Sequence, residues 1–175
     1  MRLMEFIFEK GNIISIYGAS GTGKTNIGLE LCQEIQPSLF ISTEGKSYSS
    51  RVEKLRLKKD ILFIESSNVF ELLYALSKTT DLHIKLIVVD TVNKFYKLYR
   101  NKKDIELTLI LLKSIADAGV KVVMLWQMSG NNRVSGEKFM RNFSDDIMRL
   151  SKGIIIGYSR YCKFKINDNG VIGCL

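Results

Sequence analysis

Gly18-Ala19-Ser20-Gly21-Thr22-Gly23-Lys24-Thr25 sets three glycines, a lysine and a hydroxyl at fixed spacing between an apolar run and an amphipathic one. Glycines let successive backbone N–H groups turn inward around an anion, and a following helix adds its positive N-terminal end. The pattern therefore suits a phosphate cradle. Lys24 is placed to reach the β- and γ-phosphates of a nucleotide, and the Thr25 hydroxyl to coordinate Mg2+. Gly18, Ala19, Ser20, Gly21, Thr22, Gly23, Lys24, Thr25 and Asn26 form the candidate nucleotide-binding stretch.

Three other residues could complete such a site. Leu86-Ile87-Val88-Val89-Asp90 is a buried-strand run that ends in a carboxylate, and ligands of open α/β sheets bind beyond the carboxyl ends of strands. Asp90 is the candidate second metal residue, directly or through water. Glu44 ends another strand-like run at the same edge, where a carboxylate can act as general base on water. Taken alone, Glu44-Gly45 also reads as an ordinary surface turn. Gln127 closes a further run, and its neutral amide could sense the γ-phosphate.

These residues need a scaffold that brings strand ends together. Apolar runs predict strands over 13–17, 38–42, 61–65, 85–90 and 120–126. Helical spacing predicts helices over 26–35, 48–58 and 104–118, and another after an N-cap at Ser67. The expected buried stripes are Phe70, Leu73 and Leu76 on one helix and Leu107, Ile110, Leu111 and Ile115 on another. Gly119 sits where a C-terminal glycine belongs. Residues 128–142 read as a polar loop, followed by three short strand-like runs. The last two flank Asn167-Asp168-Asn169-Gly170, a strong hairpin signal. Alternating βα units with a terminal antiparallel hairpin predict a three-layer α/β domain.

Composition agrees with a folded chain. Its 175 residues are 46% hydrophobic and 25% charged with a single proline, which excludes a disordered or proline-rich linker protein. No run is long enough for a membrane span and no signal peptide is readable, so a cytoplasmic location is expected. The three cysteines, Cys32, Cys162 and Cys174, are too few and too far apart to indicate a disulfide framework or a zinc site. Charge is uneven along the chain. Residues 1–91 hold 11 basic and 11 acidic side chains, whereas residues 92–175 hold 15 and 7, so the whole net charge of +8 lies in the second half. A polyanion-binding face or a merely solvated lysine-rich surface would each give this distribution.

The ordered set Phe8-Glu9-Lys10-Gly11, Gly18 to Thr25, Thr43-Glu44-Gly45, Val88-Val89-Asp90-Thr91, Trp126-Gln127-Met128 and the closing Phe164-Lys165-Ile166 with Asn169-Gly170 resembles the RecA-like recombinase ATPases of archaea, in particular the RadB and RadA-paralog group. The resemblance implies an α/β fold with a RecA-type P-loop NTPase core, its central sheet mainly parallel. It implies ATP and Mg2+ as ligands, with Lys24, Glu44 and Gln127 as the catalytic set and Thr25 and Asp90 on the metal. Glu44 is then the water-activating residue and Gln127 the switch into a second DNA-binding loop at 128–142. It also implies DNA binding, weak hydrolysis and assistance to a full-length RadA-type recombinase.

The match departs from the family at Ala19-Ser20, Ser42 and Thr91. The loop after Gln127 lacks the usual paired glycines and histidine, so filament formation is not expected. The reading is a single RecA-like domain over residues 1–175, without an N-terminal helix-hairpin-helix domain.

Basic residues interleaved with aromatics suit single-stranded DNA. Lys94, Lys97, Arg100, Lys102 and Lys103 follow the Asp90 strand beside Phe95, Tyr96 and Tyr99. Arg133, Lys138 and Arg141 follow Gln127. These eight cations are the candidate DNA-binding set, while the aromatics could equally pack inward. Arg160 and Lys163 could reach the nucleotide of a neighbouring copy. Two readings compete with DNA repair: a KaiC-like or adaptor ATPase that switches protein partners, and a metabolic kinase, for which no arginine-rich lid is readable.

Overall fold

The computed structural model describes residues 1–55 and 60–174. Helix α1 (Leu3–Ile7) leads into strand β1 (Ile13–Gly18) and helix α2 (Lys24–Glu34). Then follow β2 (Ser38–Ser42), α3 (Ser49–Lys54), β3 (Ile61–Glu65), α4 (Val69–Ser77) and β4 (Leu86–Asp90). Helices α5 (Lys94–Tyr99) and α6 (Lys102–Asp117) precede β5 (Lys121–Gln127) and α7 (Glu137–Phe143). Four strands close the chain: β6 (Asp146–Ser151), β7 (Ile154–Gly157), β8 (Arg160–Asn167) and β9 (Gly170–Gly173).

The strands form one sheet in the order β3-β2-β4-β5-β1-β6-β7-β8-β9. From β3 to β6 every pairing is parallel, and from β6 onward the pairings are antiparallel. Side chains alternate across a strand, so the buried runs feed two cores. Ile14, Ile16, Phe40, Val88 and Leu125 face α1 and α2, while Leu39, Ile41, Ile87, Val122 and Met124 face α4 and α6. This is the expected three-layer α/β architecture, with a longer antiparallel end than the sequence pattern implied. Trp126 is fully buried and its indole N–H donates to Ser15 Oγ at 2.8 Å. Among the described residues, no helix is long and apolar enough to cross a membrane.

Several expectations are corrected. The N-cap of α4 is Asn68, whose side chain accepts the Glu71 N–H, rather than Ser67. Its buried side is Val69, Leu72, Ala75 and Leu76, and Phe70 is 76% exposed. On α6, Ile105, Leu109, Leu112 and Ile115 are buried, whereas Leu107 and Ile110 are about half exposed. Both helices carry apolar residues on two stripes, and packing of α4 against α6 selects the one that faces the sheet. The expected helix at 48–58 becomes a 3-10 turn over Gly45–Tyr48 and the short α3, and residues 56–58 lie outside the described residues. The polar loop after Gln127 contains helix α7, and the three expected terminal runs are four strands.

Cys162 and Cys174 form a disulfide, contrary to the reading from their spacing. The β8–β9 hairpin sets Phe164 opposite Gly173, and that register brings the two cysteines together. Cys32 is buried, and burial pushes its thiol up to about 12. Arg160 is not free to reach another copy. Its guanidinium pairs with Glu9 and Asp146 and lies 4.8 Å from the centre of the Phe6 ring.

Candidate nucleotide-binding site

The loop between β1 and α2 closes around its own lysine. Strand β1 ends at Gly18, where a Cβ would lie 2.6 Å from the Leu150 carbonyl oxygen. Helix α2 starts after Gly23, whose φ of +101° belongs to the left-handed region that favours glycine. Lys24 Nζ donates to the carbonyls of Gly18 at 2.7 Å and Ala19 at 2.9 Å. Burial pulls the Lys24 pKa below the usual lysine range, while the nearby Asp90 and Glu44 carboxylates oppose that shift. The ammonium is thus held in a buried position where an anion would be favoured.

Strand pairing assembles the other side chains. β2 and β4 run parallel with Ser42 beside Asp90, so Glu44 and Asp90 emerge at one edge. Thr25 Oγ1 donates to Asp90 Oδ2 at 2.6 Å. Burial raises the Asp90 pKa, and the bond from Thr25 and the Lys24 charge work against that rise. Glu44 Oε2 pairs with Lys94 Nζ at 2.7 Å, and its Oε1 accepts from Thr91 Oγ1 at 3.1 Å. β1 sets Gly18 beside Gln127 of β5. The Gln127 Oε1 accepts from Lys97 Nζ at 2.9 Å.

These groups surround a cavity of about 300 Å³, lined by Lys24, Thr25, Glu44, Asp90 and Gln127 together with Ser20, Gly21, Gly23 and Asn26. Ala19 and Thr22 shape the loop from behind, with Thr22 Oγ1 donating to the Ala19 carbonyl at 2.9 Å. A second cavity of about 220 Å³ shares Asn26, Arg51 and Ile166 with the first and ends at Asp168 and Gly170 of the terminal hairpin. Arg51 and Ile166 were not foreseen as lining residues: Arg51 carries no local motif, and Ile166 belongs to a closing stretch whose sequence gives no sign that the hairpin returns to the glycine loop. Asn93 is a more consequential omission. It is fully buried, donates through Nδ2 to the carbonyls of Gln127 and Ser135, and accepts the Gln127 N–H. An asparagine three residues past the Asp90 strand end was the available signal.

Asn93→Ala leaves these buried groups without partners, a loss of about 2 kcal/mol. The thermal midpoint is expected to fall by about 4–8 °C for a chain of this size, measurable by circular dichroism or calorimetry.

The candidate DNA-binding cations divide into two groups. Lys94 and Lys97 lie on the inner side of α5, against Glu44 and Gln127. Arg100 Nη1 donates to Ser135 Oγ at 2.9 Å and its guanidinium sits 5.8 Å from the centre of the Tyr96 ring. Lys102, Lys103, Arg133, Lys138 and Arg141 are exposed, with Arg141 pairing to Glu137 at 2.7 Å. Lys102 and Lys138 line a cleft of about 630 Å³ together with Tyr96, Phe139 and Phe143, and Glu106 and Glu137 balance their charge there. Of the flanking aromatics, Phe95 is buried, Tyr96 packs edge-on against Phe139 and Tyr99 is exposed.

Fold and site together define a P-loop nucleotide-binding domain. Residues 10–107 match the family model of the AAA domain, and the chain belongs to that family. The DNA repair and recombination protein RadB of Methanococcoides burtonii is 29% identical over 110 residues, covering 55% of this chain and 48% of that protein. The protein of the same name from Methanococcus maripaludis is 37% identical over 101 residues, covering 51% and 47%. The chain spans about half the length of the curated relatives it matches.

Among solved structures, the RadB recombinase superposes with a TM-score of 0.74 at 18% identity, over 97% of this chain and 96% of that one. A KaiC-like protein from Pyrococcus horikoshii superposes with a TM-score of 0.73 at 16% identity, over 97% and 94%. The fold is RecA-type, and the chain is RadB-like within it.

Proposed function

We propose that this chain is an ATP-binding, weakly hydrolysing protein that binds DNA, with a preference for single strands, and assists a full-length RadA-type recombinase in recombination or repair. The observation that carries the reading is the convergence of Lys24, Thr25, Asp90, Glu44 and Gln127 on one cavity, with the exposed cations Lys102, Lys103, Arg133 and Lys138 on the segments that follow Asp90 and Gln127. Residues 1–175 act in this reading as a single RecA-like unit.

The site suits ATP with Mg2+. Lys24 and the loop N–H groups hold the phosphates, while Thr25 and Asp90 present a hydroxyl and a carboxylate to the metal. Bound there, Mg2+ would neutralise charge on the β- and γ-phosphates. Glu44 orients and deprotonates the attacking water. Its carboxylate is shared with Lys94 and Thr91, which supports slow turnover, because a base engaged in an ion pair is less available to water.

Gln127 links the cavity to the loop that leads to α7, and Asn93 fixes its backbone. Nucleotide state can thereby reach Arg133, Lys138 and Arg141. Fluorescence anisotropy of a labelled single-stranded oligonucleotide, at several salt concentrations with and without Mg·ATP, tests the reading. Binding that weakens with salt and changes with ATP is expected. Replacing Arg133, Lys138 and Arg141 with Ala should reduce the salt slope by about 2, at about 0.7 for each single-strand phosphate contact. The likeness to the KaiC-like protein favours a second reading, in which ATP switches a protein partner; the oligonucleotide is then not bound in any condition.

A further inference from the structure

The antiparallel end of the sheet has two unequal faces. On one, Met148, Leu150, Ile155, Cys162, Phe164 and Val171 are buried in the core shared with α1 and α2. Alternation turns Arg149, Ile156, Tyr161, Lys163, Lys165 and Ile172 to the other. All six are exposed, with Ile156 at 41%, Tyr161 at 65% and Ile172 at 51%.

Register arranges them in rows. Tyr17 of β1 lies beside Arg149, Arg149 opposite Ile156, and Ile156 opposite Tyr161. Lys165 lies opposite Ile172. Tyr158, in the turn between β7 and β8, is 81% exposed.

The charge on this face has one sign. Arg149, Lys163 and Lys165 are cations, and the outward positions of β6–β9 carry no carboxylate among the described residues. A cleft of about 500 Å³ joins the face to α7, with Arg141, Arg149, Tyr17 and Tyr158 in its walls. Asp145 and Asp146 also line it, but both are engaged. Asp145 Oδ2 accepts the N–H groups of Asn12 and Ile13, and Asp146 pairs with Arg160.

We infer that the open face of β6–β9 is a second nucleic-acid surface, over which a single strand continues from Arg141 across Arg149, Lys163 and Lys165. This rests on the DNA-binding reading above and extends it to a face that reading does not use. Cations on a strand face neutralise phosphates, and the flanking tyrosine rings offer planes on which bases of any sequence stack. A protein partner fits less well. Interface centres are enriched in tyrosine and arginine but depleted in lysine, and a protein partner would have to bring its own carboxylates to all three cations, because this face supplies none. Lys163 thus acts on nucleic acid rather than on a neighbour's nucleotide.

The test compares wild type, the triple variant Arg149→Ala/Lys163→Ala/Lys165→Ala, and Tyr161→Ala, with fluorescent oligothymidine as the probe. The triple variant is expected to bind about tenfold or more weakly at low salt, with the slope of log affinity against log salt reduced by about 2. Tyr161→Ala is expected to lose about fivefold or more at constant salt with the slope unchanged. Retained nucleotide affinity and thermal midpoint show that each variant is folded. If the triple variant misfolds, Tyr161→Ala and Lys165→Ala carry the comparison alone.

Wild-type affinity and slope in the sheet variants, alongside weakened binding when Arg133, Lys138 and Arg141 are replaced, overturns the inference and leaves the DNA reading standing. No oligothymidine binding by the wild type overturns both. If sedimentation shows a self-associated wild type that the triple variant dissociates at unchanged DNA affinity, the face joins copies of the chain and the inference fails.

Discussion

Glu44→Gln is expected to slow ATP hydrolysis by about 10²–10⁴-fold, the usual contribution of a positioned general base, while nucleotide affinity stays close to that of wild type. Glutamine keeps the shape of the side chain but has one acceptor oxygen where glutamate has two. The amide oxygen can take the Lys94 contact at 2.7 Å without the ion pair, while the NH2 group stands toward Thr91 Oγ1 and must donate where the carboxylate accepted at 3.1 Å. What is lost is the capacity to take a proton from water. Release of labelled phosphate under single-turnover conditions measures the step directly. Unchanged hydrolysis would remove Glu44 from the mechanism and leave it as the anchor of Lys94.

The second large effect concerns binding. Lys24→Ala should weaken nucleotide binding by about 100-fold, or about 2.7 kcal/mol, the size of a charge-assisted hydrogen bond to phosphate. Burial already works against the Lys24 charge, so removing the ammonium relieves a cost in the nucleotide-free protein. The loop carbonyls of Gly18 and Ala19 lose a donor at the same time. These terms oppose each other, and the thermal midpoint without nucleotide should move by no more than about 4 °C. A fluorescent ATP analogue titrated into wild type and variant gives the affinity ratio. A variant that still binds as tightly as wild type would mean that backbone N–H groups alone hold the phosphates.

Which residues would gather around the candidate site was largely readable, because much of its logic is local. Gly18 to Thr25 is a continuous stretch, and Asp90 closes a run of apolar residues that only a buried strand would carry. Glu44 and Gln127 became specific through their order relative to those two. The helix faces were not readable in the same way. Phe70 and Leu73 satisfy helical spacing as well as Val69 and Leu72 do, and only the packing of α4 against α6 decides between them.

Helix α7 went unseen because Gly136 caps it without a side-chain signal and its sequence alternates charge with aromatics. The Cys162–Cys174 bond depends on hairpin register, which residue spacing does not encode. Lys94 and Lys97 looked like surface cations until α5 turned them toward Glu44 and Gln127.

The position of β1 governs when the chain can become functional during its own synthesis. Its two neighbours are late arrivals, since Ile13 pairs with Val122 and Ile14 with Asp146. A nascent chain can pair β2 with β3 and β4 early, from contacts close in sequence, but it has no partner for β1 until more than a hundred residues later. Such long-range closures are slow, because the entropy of a large loop is lost before any contact compensates for it. The glycine loop hangs from the end of β1, so a ribosome-bound intermediate with β2, β3 and β4 already paired would still lack an ordered phosphate cradle. Nucleotide then stabilises only the finished sheet. It retards unfolding rather than hastening assembly.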